Sequence, residues 1–517
     1  MPLQTLFRSF RLSFLPPLMV YVAAGISGLT GIVGTFFVKE YLGLSAQFLA
    51  ALGFWLVLPW TLKMPVGHVV DLLWRWKAGF VFLGAAFLMA SIAIMLGLLL
   101  EPQAMRALMP ADRWYVLAAV LSPVGYMLQD VVADAMTVEA VPHRHPDGRP
   151  VAAEELRAMH TTMQTLGRVA IVGGTIVVAL INVGFLSGVE ALPREAKAAA
   201  YANVYASALA IPLISIAGVV IAALMRRGVV AGGDAERARP PVNWWVLGGG
   251  LAFAVVSVAV GLADLKYGQE VVFVASMCIV VVLILRLVRE LDADARATLL
   301  GTALVIFVFR AMPGPGAGAS WWGIDVLGFD PAFLAKLSML SGLVALAGLL
   351  IYRRFFAQQS IYQVVGWLTV LGSVMALPQI GMAYGLHEWT AARTGGVVDA
   401  RFIAILDTAL ESPLGQVAMV PMLAWIANSA PATLKATYFA VMASFTNLAL
   451  SAAQLGTKYL NRAFVVSREV RDAASGAVKV PADYSEIGVL LITCMALGLV
   501  VPLATIVLVR AVRLKGA

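Results

Sequence analysis

Two pairs of acids stand at i,i+4 spacing inside otherwise apolar runs, Asp130 with Asp134 and Asp407 with Glu411, and the cations Arg168, Arg310 and Lys336 stand in similar surroundings. An ionisable side chain in a stretch long enough to cross a bilayer costs roughly 2.5–3.5 kcal/mol on insertion scales, so it is retained for a task. The i,i+4 spacing puts both acids of each pair on one helix face. For Asp130 and Arg168 two roles stay open: a structural ion pair, or a coupling site in which protonation or an anionic substrate breaks the pair. Asp130 is the favoured coupling acid because it lies nearer the middle of its run, with Asp407 and Glu411 as the second candidates. Asp134 and Glu139 fall near the end of the run, within reach of Arg75 or Lys77, and a gate salt bridge is expected there. Arg310 and Lys336 either join Asp407 and Glu411 in a structural network or meet a carboxylate of the substrate, which a guanidinium can clamp with two parallel hydrogen bonds.

Other chemistries are absent from the sequence. It has no Gly-x-x-x-x-Gly-Lys-Ser/Thr phosphate loop, so energy is expected from a gradient rather than from a nucleotide. Neither a nucleophile with its base nor a set of metal ligands is clustered, so no enzyme, cofactor or metal is expected. Cys278 and Cys494 lie far apart in apolar runs, and His143 and His145 belong to a turn-rich connection with Arg144, Pro146, Asp147 and Gly148. His68 and His160 are expected to pack or to serve a gate. The net charge of +8 carries no nucleic-acid reading, because the basic residues sit in short connections between apolar runs.

These groups must be positioned by helices. Of the 517 residues, 61% are hydrophobic and only 13% charged, against roughly 45–50% and 25% in soluble proteins, which excludes a soluble enzyme and a disordered chain. Apolar runs of about 20 residues or more predict spans near 14–38, 46–66, 78–100, 114–141, 158–186 and 202–225, then near 243–263, 270–289, 298–313, 332–352, 361–385, 401–427, 432–457 and 486–510. The fold class is therefore an all-α polytopic membrane protein of about fourteen spans. A basic, Pro-containing linker at 226–242 follows a six-helix half at 1–225; an extra hairpin at 243–290 precedes a second six-helix half at 291–517. With the N-terminus inside, Lys and Arg of the short connections concentrate on the cytoplasmic side. The segment 458–485 then lies outside and carries a turn signal at Ser475-Gly476, consistent with a small hairpin. Two helical halves about a linker are what a carrier of the alternating-access kind needs.

Several motifs carry a family resemblance. Gly67-x-x-x-Asp71 with Arg75 and Lys77 resembles the signature of the major facilitator superfamily, in which the Gly allows close helix approach and the Asp sits at a helix end. Pro59-Trp60, Lys63, Gly67 and Asp71 together, then Asp130-x-x-x-Asp134 with Glu139, resemble the folate–biopterin transporter family. So do Ala311-Met312-Pro313, Leu327-Gly328-Phe329-Asp330-Pro331, Tyr352-Arg353-Arg354 and Ala440-x-x-Ala443-Ser444-x-x-Asn447 before Leu455-Gly456. The resemblance implies a carrier of folates or other pterins, coupled to protons, in a bacterial cytoplasmic membrane; the distribution of Lys and Arg places both termini inside. On that reading Lys63, Gly67, Asp71, Arg75, Lys77, Asp134 and Glu139 belong to a gate. Arg310, Lys336 and Arg168 would meet the carboxylates, and Gln164, Asn447 and Gln454 would read the ring or else simply join helices. Trp60, Trp321, Trp322 and Trp425 could stack on a flat ring, but the membrane-interface role is favoured for each. The sequence also resembles muropeptide permeases through Gln129-Asp130-x-x-x-Asp134, Val141-Pro142 and Leu166-Gly167-Arg168. A permease for another anionic metabolite is thus the alternative. A non-transporting receptor or assembly factor is a third reading, one that would have no need of the buried charges.

Overall fold

The computed structural model describes residues 10–42, 44–141, 149, 151–227, 242–263, 265–289, 293–357, 360–429, 435–471 and 478–512. The linker from 228 to 241, His143, His145 and the side chains of Glu139, His160, Gln164 and Trp425 lie outside the described residues. The long apolar runs form helices: α1 (Leu15–Ile26), α2 (Gly31–Phe37), α3 (Ala46–Val57), α4 (Lys63–Leu72), α5 (Lys77–Leu100), α6 (Ala111–Ala140), α7 (Ala153–Leu186), α8 (Arg194–Ala208) and α9 (Ala210–Arg227). After the linker come α10 (Trp244–Leu262), α11 (Gly268–Val288), α12 (Ala293–Arg310), α13 (Ala317–Asp325), α14 (Pro331–Ala357), α15 (Ile361–Met375), α16 (Ala400–Ser429), α17 (Lys435–Ala463) and α18 (Ile487–Ala511).

Among the described residues, 11 helical stretches are long and apolar enough to cross a membrane. The remaining spans predicted near 298–313, 401–427 and 432–457 are helices as well, α12, α16 and α17. They are not among the 11 and carry Arg310, the acids Asp407 and Glu411, and Ser444, Asn447 and Gln454 respectively. The protein is a multi-pass membrane protein. Beyond α17 the chain makes a short antiparallel ribbon, β1 (Val470–Arg471) with β2 (Val478–Val480), extended by a bridge between Ser467 and Asp483.

The chain packs as two compact units, one of Met1–Gly34 and Pro65–Trp244, the other of Thr35–Met64 and Trp245–Ala517. The second unit thus takes in the end of the first membrane-crossing stretch and most of the second. In it the predicted extra hairpin, α10 and α11, is part of the core: Val246, Val280 and Ile284 bury with Ile306 of α12, Tyr362 of α15, Met442 of α17 and Ile506 of α18. Phe253 and Val272 of the same hairpin bury against Phe54 and Leu58.

Both early stretches are broken, and each break is served by an asparagine. Between α1 and α2 the chain tightens to a 3-10 turn at Ser27–Thr30, which disturbs the regular i→i−4 ladder. In the first unit, the Leu29 carbonyl there accepts from Asn182 Nδ2 at 3.2 Å. Pro59 lies in a second 3-10 segment, Leu58–Leu62, between α3 and α4. In the second unit, Asn447 Nδ2 donates to the Trp60 carbonyl at 3.2 Å and Ser444 Oγ to the Thr61 carbonyl at 2.9 Å. Satisfying such carbonyls matters because an unpaired backbone group in a dry interior costs free energy comparable to a lost hydrogen bond.

Candidate functional site

In the first unit the chemistry gathers on α1, α6 and α7. Tyr21, 5% exposed, donates from its hydroxyl to Asp134 Oδ1 at 2.7 Å. Asp134, Asp130 and Arg168 all lie near enough to that hydroxyl to act on it electrostatically. One residue before Arg168, Gly167 makes room for the Tyr21 ring: a Cβ there would stand 2.8 Å from Tyr21 Cε2. The neighbouring Gln129 has a different task. Buried at 2% exposure, it accepts from Ser215 Oγ at 2.9 Å and ties α6 to α9. So Asp130, Asp134 and Arg168 are brought to one place. Tyr21, which organises them, carried no sequence signal beyond a hydroxyl inside an apolar run.

Of the other predicted gate residues in this unit, Asp71 and Arg75 are exposed and Gly67 faces Val131 of α6. Lys77 is buried, with its Nζ 3.6 Å from the centroid of the Trp74 ring, a cation–π arrangement that shelters the charge. His68 Nε2 accepts from the Asn243 amide at 3.0 Å.

In the second unit Asp407 and Glu411 lie within electrostatic range of each other on α16. Asp407 Oδ1 is sealed from solvent and has no hydrogen-bond partner. Arg310, the last residue of α12, is half-buried, Lys336 is exposed on α14, and Lys63 is half-buried at the start of α4. Asn447 is engaged at the Trp60 carbonyl, and Gln454 lies along α3 with its side-chain end against Gly53, where a Cβ would stand 2.6 Å from Gln454 Oε1.

Two of the quoted motifs hold turns. Gly328 takes a positive φ of 68°, open to glycine at no steric cost. Asp330 then caps α14, accepting from the Phe333 amide at 2.8 Å, while Arg401 binds Asp330 Oδ2 and the Gly328 carbonyl, each at 2.9 Å. Thr457 and Asn461 of α17 hold the bend after α12, accepting from the Gly314 amide at 3.0 Å and donating to the Pro315 carbonyl at 3.1 Å.

A further charged cluster in the second unit was not legible in the sequence. Lys39 Nζ stands 2.5 Å from Asp325 Oδ1, and the Tyr484 hydroxyl donates to Asp325 Oδ2 at 2.5 Å. Beside them Arg468 is only 3% exposed, with its guanidinium carbon 5.1 Å from the centroid of the Trp321 ring. Its Nε and one terminal nitrogen have no hydrogen-bond partner. Burial holds the Arg468 pKa below its ordinary value, against the opposing pull of Tyr484, Asp325 and Glu40. Trp321 and Trp322, expected at a membrane interface, are instead buried within the unit, at 1% and 4% exposure. A second polar tie joins the extra hairpin to α17: Glu270 Oε1 accepts from Lys458 Nζ at 2.9 Å and from the Tyr459 hydroxyl at 2.6 Å. Among the described residues no group of three or more His, Cys, Asp and Glu could hold a metal ion.

Known proteins resemble this chain at several levels. A folate-biopterin transporter of Synechocystis sp. is 28% identical over 158 residues, 31% of each chain. A putative folate transporter 2 of Plasmodium berghei is 24% identical over 149 residues, 29% of this chain and 32% of that one. The matches thus span about a third of either relative. Among solved structures, a peptide transporter POT in complex with sulfate superposes with a TM-score of 0.61 at 15% identity, covering 98% of this chain and 96% of that one. A POT family transporter in complex with 5-aminolevulinic acid gives 0.60 at 14% identity, covering 97% and 96%. At such identities the likeness establishes the fold, the major facilitator architecture. A family model matches residues 24–515, nearly the whole length, and the chain belongs to the BT1 family.

Proposed function

We propose that this protein is a secondary active transporter of folates or related pterins, working by alternating access and driven by protons. The observation that carries the reading is the family match over residues 24–515, joined to acids and cations held inside apolar helices where only a task justifies their cost. The relatives named for folate and biopterin point to the substrate class. Asp407 and Glu411 are the pair best suited to share a proton, since like charges this close repel and one oxygen of Asp407 is sealed without a donor. Asp130, which like Arg168 acts electrostatically on the Tyr21 hydroxyl, is the second candidate. Arg310 and Lys336 are assigned to the glutamate carboxylates of a folate. The gate is assigned to Lys63, Gly67, Asp71, Arg75, Lys77, Asp134 and Glu139.

The orientation follows the positive-inside rule, with both termini and the 226–242 linker in the cytoplasm of a bacterial inner membrane. Lys39, Asp325 and Tyr484, which meet in the second unit, all fall in connections that the span count places on one and the same side, which supports the count of crossings and leaves the choice of side to the charge rule. Maleimide labelling of a cysteine at Ala235 in sealed cells checks the orientation, and labelling from outside alone would reverse it. Uptake of labelled folate, an uncharged pterin and a muropeptide into proteoliposomes, in parallel at two pH values, tests the substrate and the coupling. Folate or pterin accumulation that grows with an inward proton gradient is expected. Accumulation of the muropeptide alone would replace the folate reading with the permease alternative.

A further inference from the structure

In the second unit the ribbon after α17 is seated by apolar packing. Val466 is buried with Trp322, Phe329, Ile487 and Leu490, and the ribbon closes on itself through paired Ser467 and Asp483 amides, which donate to each other's carbonyls at 2.9 and 2.8 Å. Packed interiors of this kind are rigid. The surface it forms with α13 presents the Asp325 carboxylate, the Tyr484 hydroxyl and the Arg468 guanidinium over Trp321. Against that surface stands the π-helical turn Val38–Leu42 at the end of the first membrane-crossing stretch. It is gripped by charge, through Lys39 on Asp325 at 2.5 Å and through Glu40 in the field of Arg468.

Charge contacts of this sort differ from the apolar seat beside them. An ion pair that is partly open to solvent is worth little net free energy, while a buried guanidinium with two unpartnered nitrogens carries an unmet desolvation cost. The grip is therefore strong in geometry and weak in free energy, as a reversible contact must be. We propose that Asp325, Tyr484 and Arg468 form a fixed receptor for Lys39 and Glu40, and that the end of the first helix docks there in one state of the transport cycle and leaves it in another. This rests on the alternating-access reading. It gives the described residues 464–471 and 478–485 a function, as one jaw of an external latch, and it assigns the charges of Lys39 and Glu40 to docking rather than to substrate.

Val38, 3% exposed in the docked state, reports the contact. In a protein with Cys278→Ser and Cys494→Ser, a Val38→Cys thiol is labelled by maleimide only when the turn leaves its seat, at a rate that follows the open population. Lys39→Gln and Asp325→Asn are each expected to raise the labelling rate roughly threefold, equivalent to about 0.65 kcal/mol of docking. The reversed pair, Lys39→Asp with Asp325→Lys, should return the rate toward that of the parent. An Ile306→Cys thiol, in the buried core of the same unit, should stay protected in every variant. Unchanged labelling at Val38→Cys in both single variants, labelling of the reversed pair as fast as that of the single variants, or labelling that rises equally at Ile306→Cys would each overturn the latch. No substrate enters this measurement, so it is decided separately from the folate reading. Absence of folate uptake in the parent protein would remove the substrate assignment and leave the latch to the labelling result.

Discussion

Asp134 in the first unit and Asp407 in the second have the same kind of neighbour, an acid four residues away on the same helix face, yet their surroundings differ. Asp134 receives a 2.7 Å hydrogen bond from Tyr21, whose hydroxyl also feels Asp130 and Arg168. Asp407 faces Glu411 and keeps one oxygen sealed without a donor. A carboxylate held by a hydroxyl donor suits a structural or gating role; one that faces a second acid and has an oxygen without a donor is the better candidate to carry a proton. Identical spacing in sequence thus yields an anchored acid in one unit and a candidate proton carrier in the other.

The largest effect that would sharpen this contrast is expected from Asp407→Asn. It should abolish accumulation of substrate against its gradient while leaving substrate-for-substrate exchange, which needs no net proton movement, and paired accumulation and counterflow assays in proteoliposomes measure both. Asp130→Asn should retain part of the accumulation. If the two variants lose it equally, the contrast between the units fails as an account of coupling. Next in size is Arg310→Gln: loss of a charge-assisted contact costs about 1.5–3 kcal/mol, roughly ten- to hundredfold in affinity. The loss should fall on a carboxylated folate far more than on an uncharged pterin, and equal loss in binding titrations of the two would return Arg310 to a structural network.

A smaller effect is expected in the first unit. Tyr21→Phe removes the donor to Asp134 and should lower stability by about 1–3 kcal/mol, read as a fall in the thermal midpoint of the detergent-solubilised protein. Gly167→Ala, which presses a methyl group onto the Tyr21 ring, should cost a similar amount, about 1–3 kcal/mol, through overpacking. If neither variant moves the midpoint, Asp134 is not anchored by Tyr21. The smallest effect is assigned to Ser444→Ala, about 0.5–1.5 kcal/mol for one hydrogen bond to the Thr61 carbonyl. Its thermal midpoint should move less than that of Tyr21→Phe, because a neutral pair is lost rather than the donor to a charge.

The motifs show how far residue order reaches. Pro59-Trp60 and Ser444-x-x-Asn447 were each visible as family-like signatures, but the reason for their residue types is their contact: the 3-10 segment around Pro59 presents carbonyls that Ser444 and Asn447 bind. Asn447, read in sequence as a substrate candidate or a helix joiner, spends an amide proton on that joint. The extra hairpin was legible as two apolar runs with almost no charge, but its place in the core of the second unit was not, since apolar runs facing lipid and apolar runs facing protein have the same composition.

What the residues alone determined is what depends on local composition. The membrane class, the helices and most of their limits, the turn signal at Ser475-Gly476 and the shared helix faces of the acid pairs all follow from apolar length, i,i+4 periodicity and backbone preference. The pairing of groups across the chain was decided only by tertiary structure. Tyr21 reaches Asp134 from a helix 113 residues away, and Tyr484 reaches Asp325 across 159. The value of a buried charge depends on the donor or counter-charge within a few ångströms of it, and which one stands there is set by which helices become neighbours.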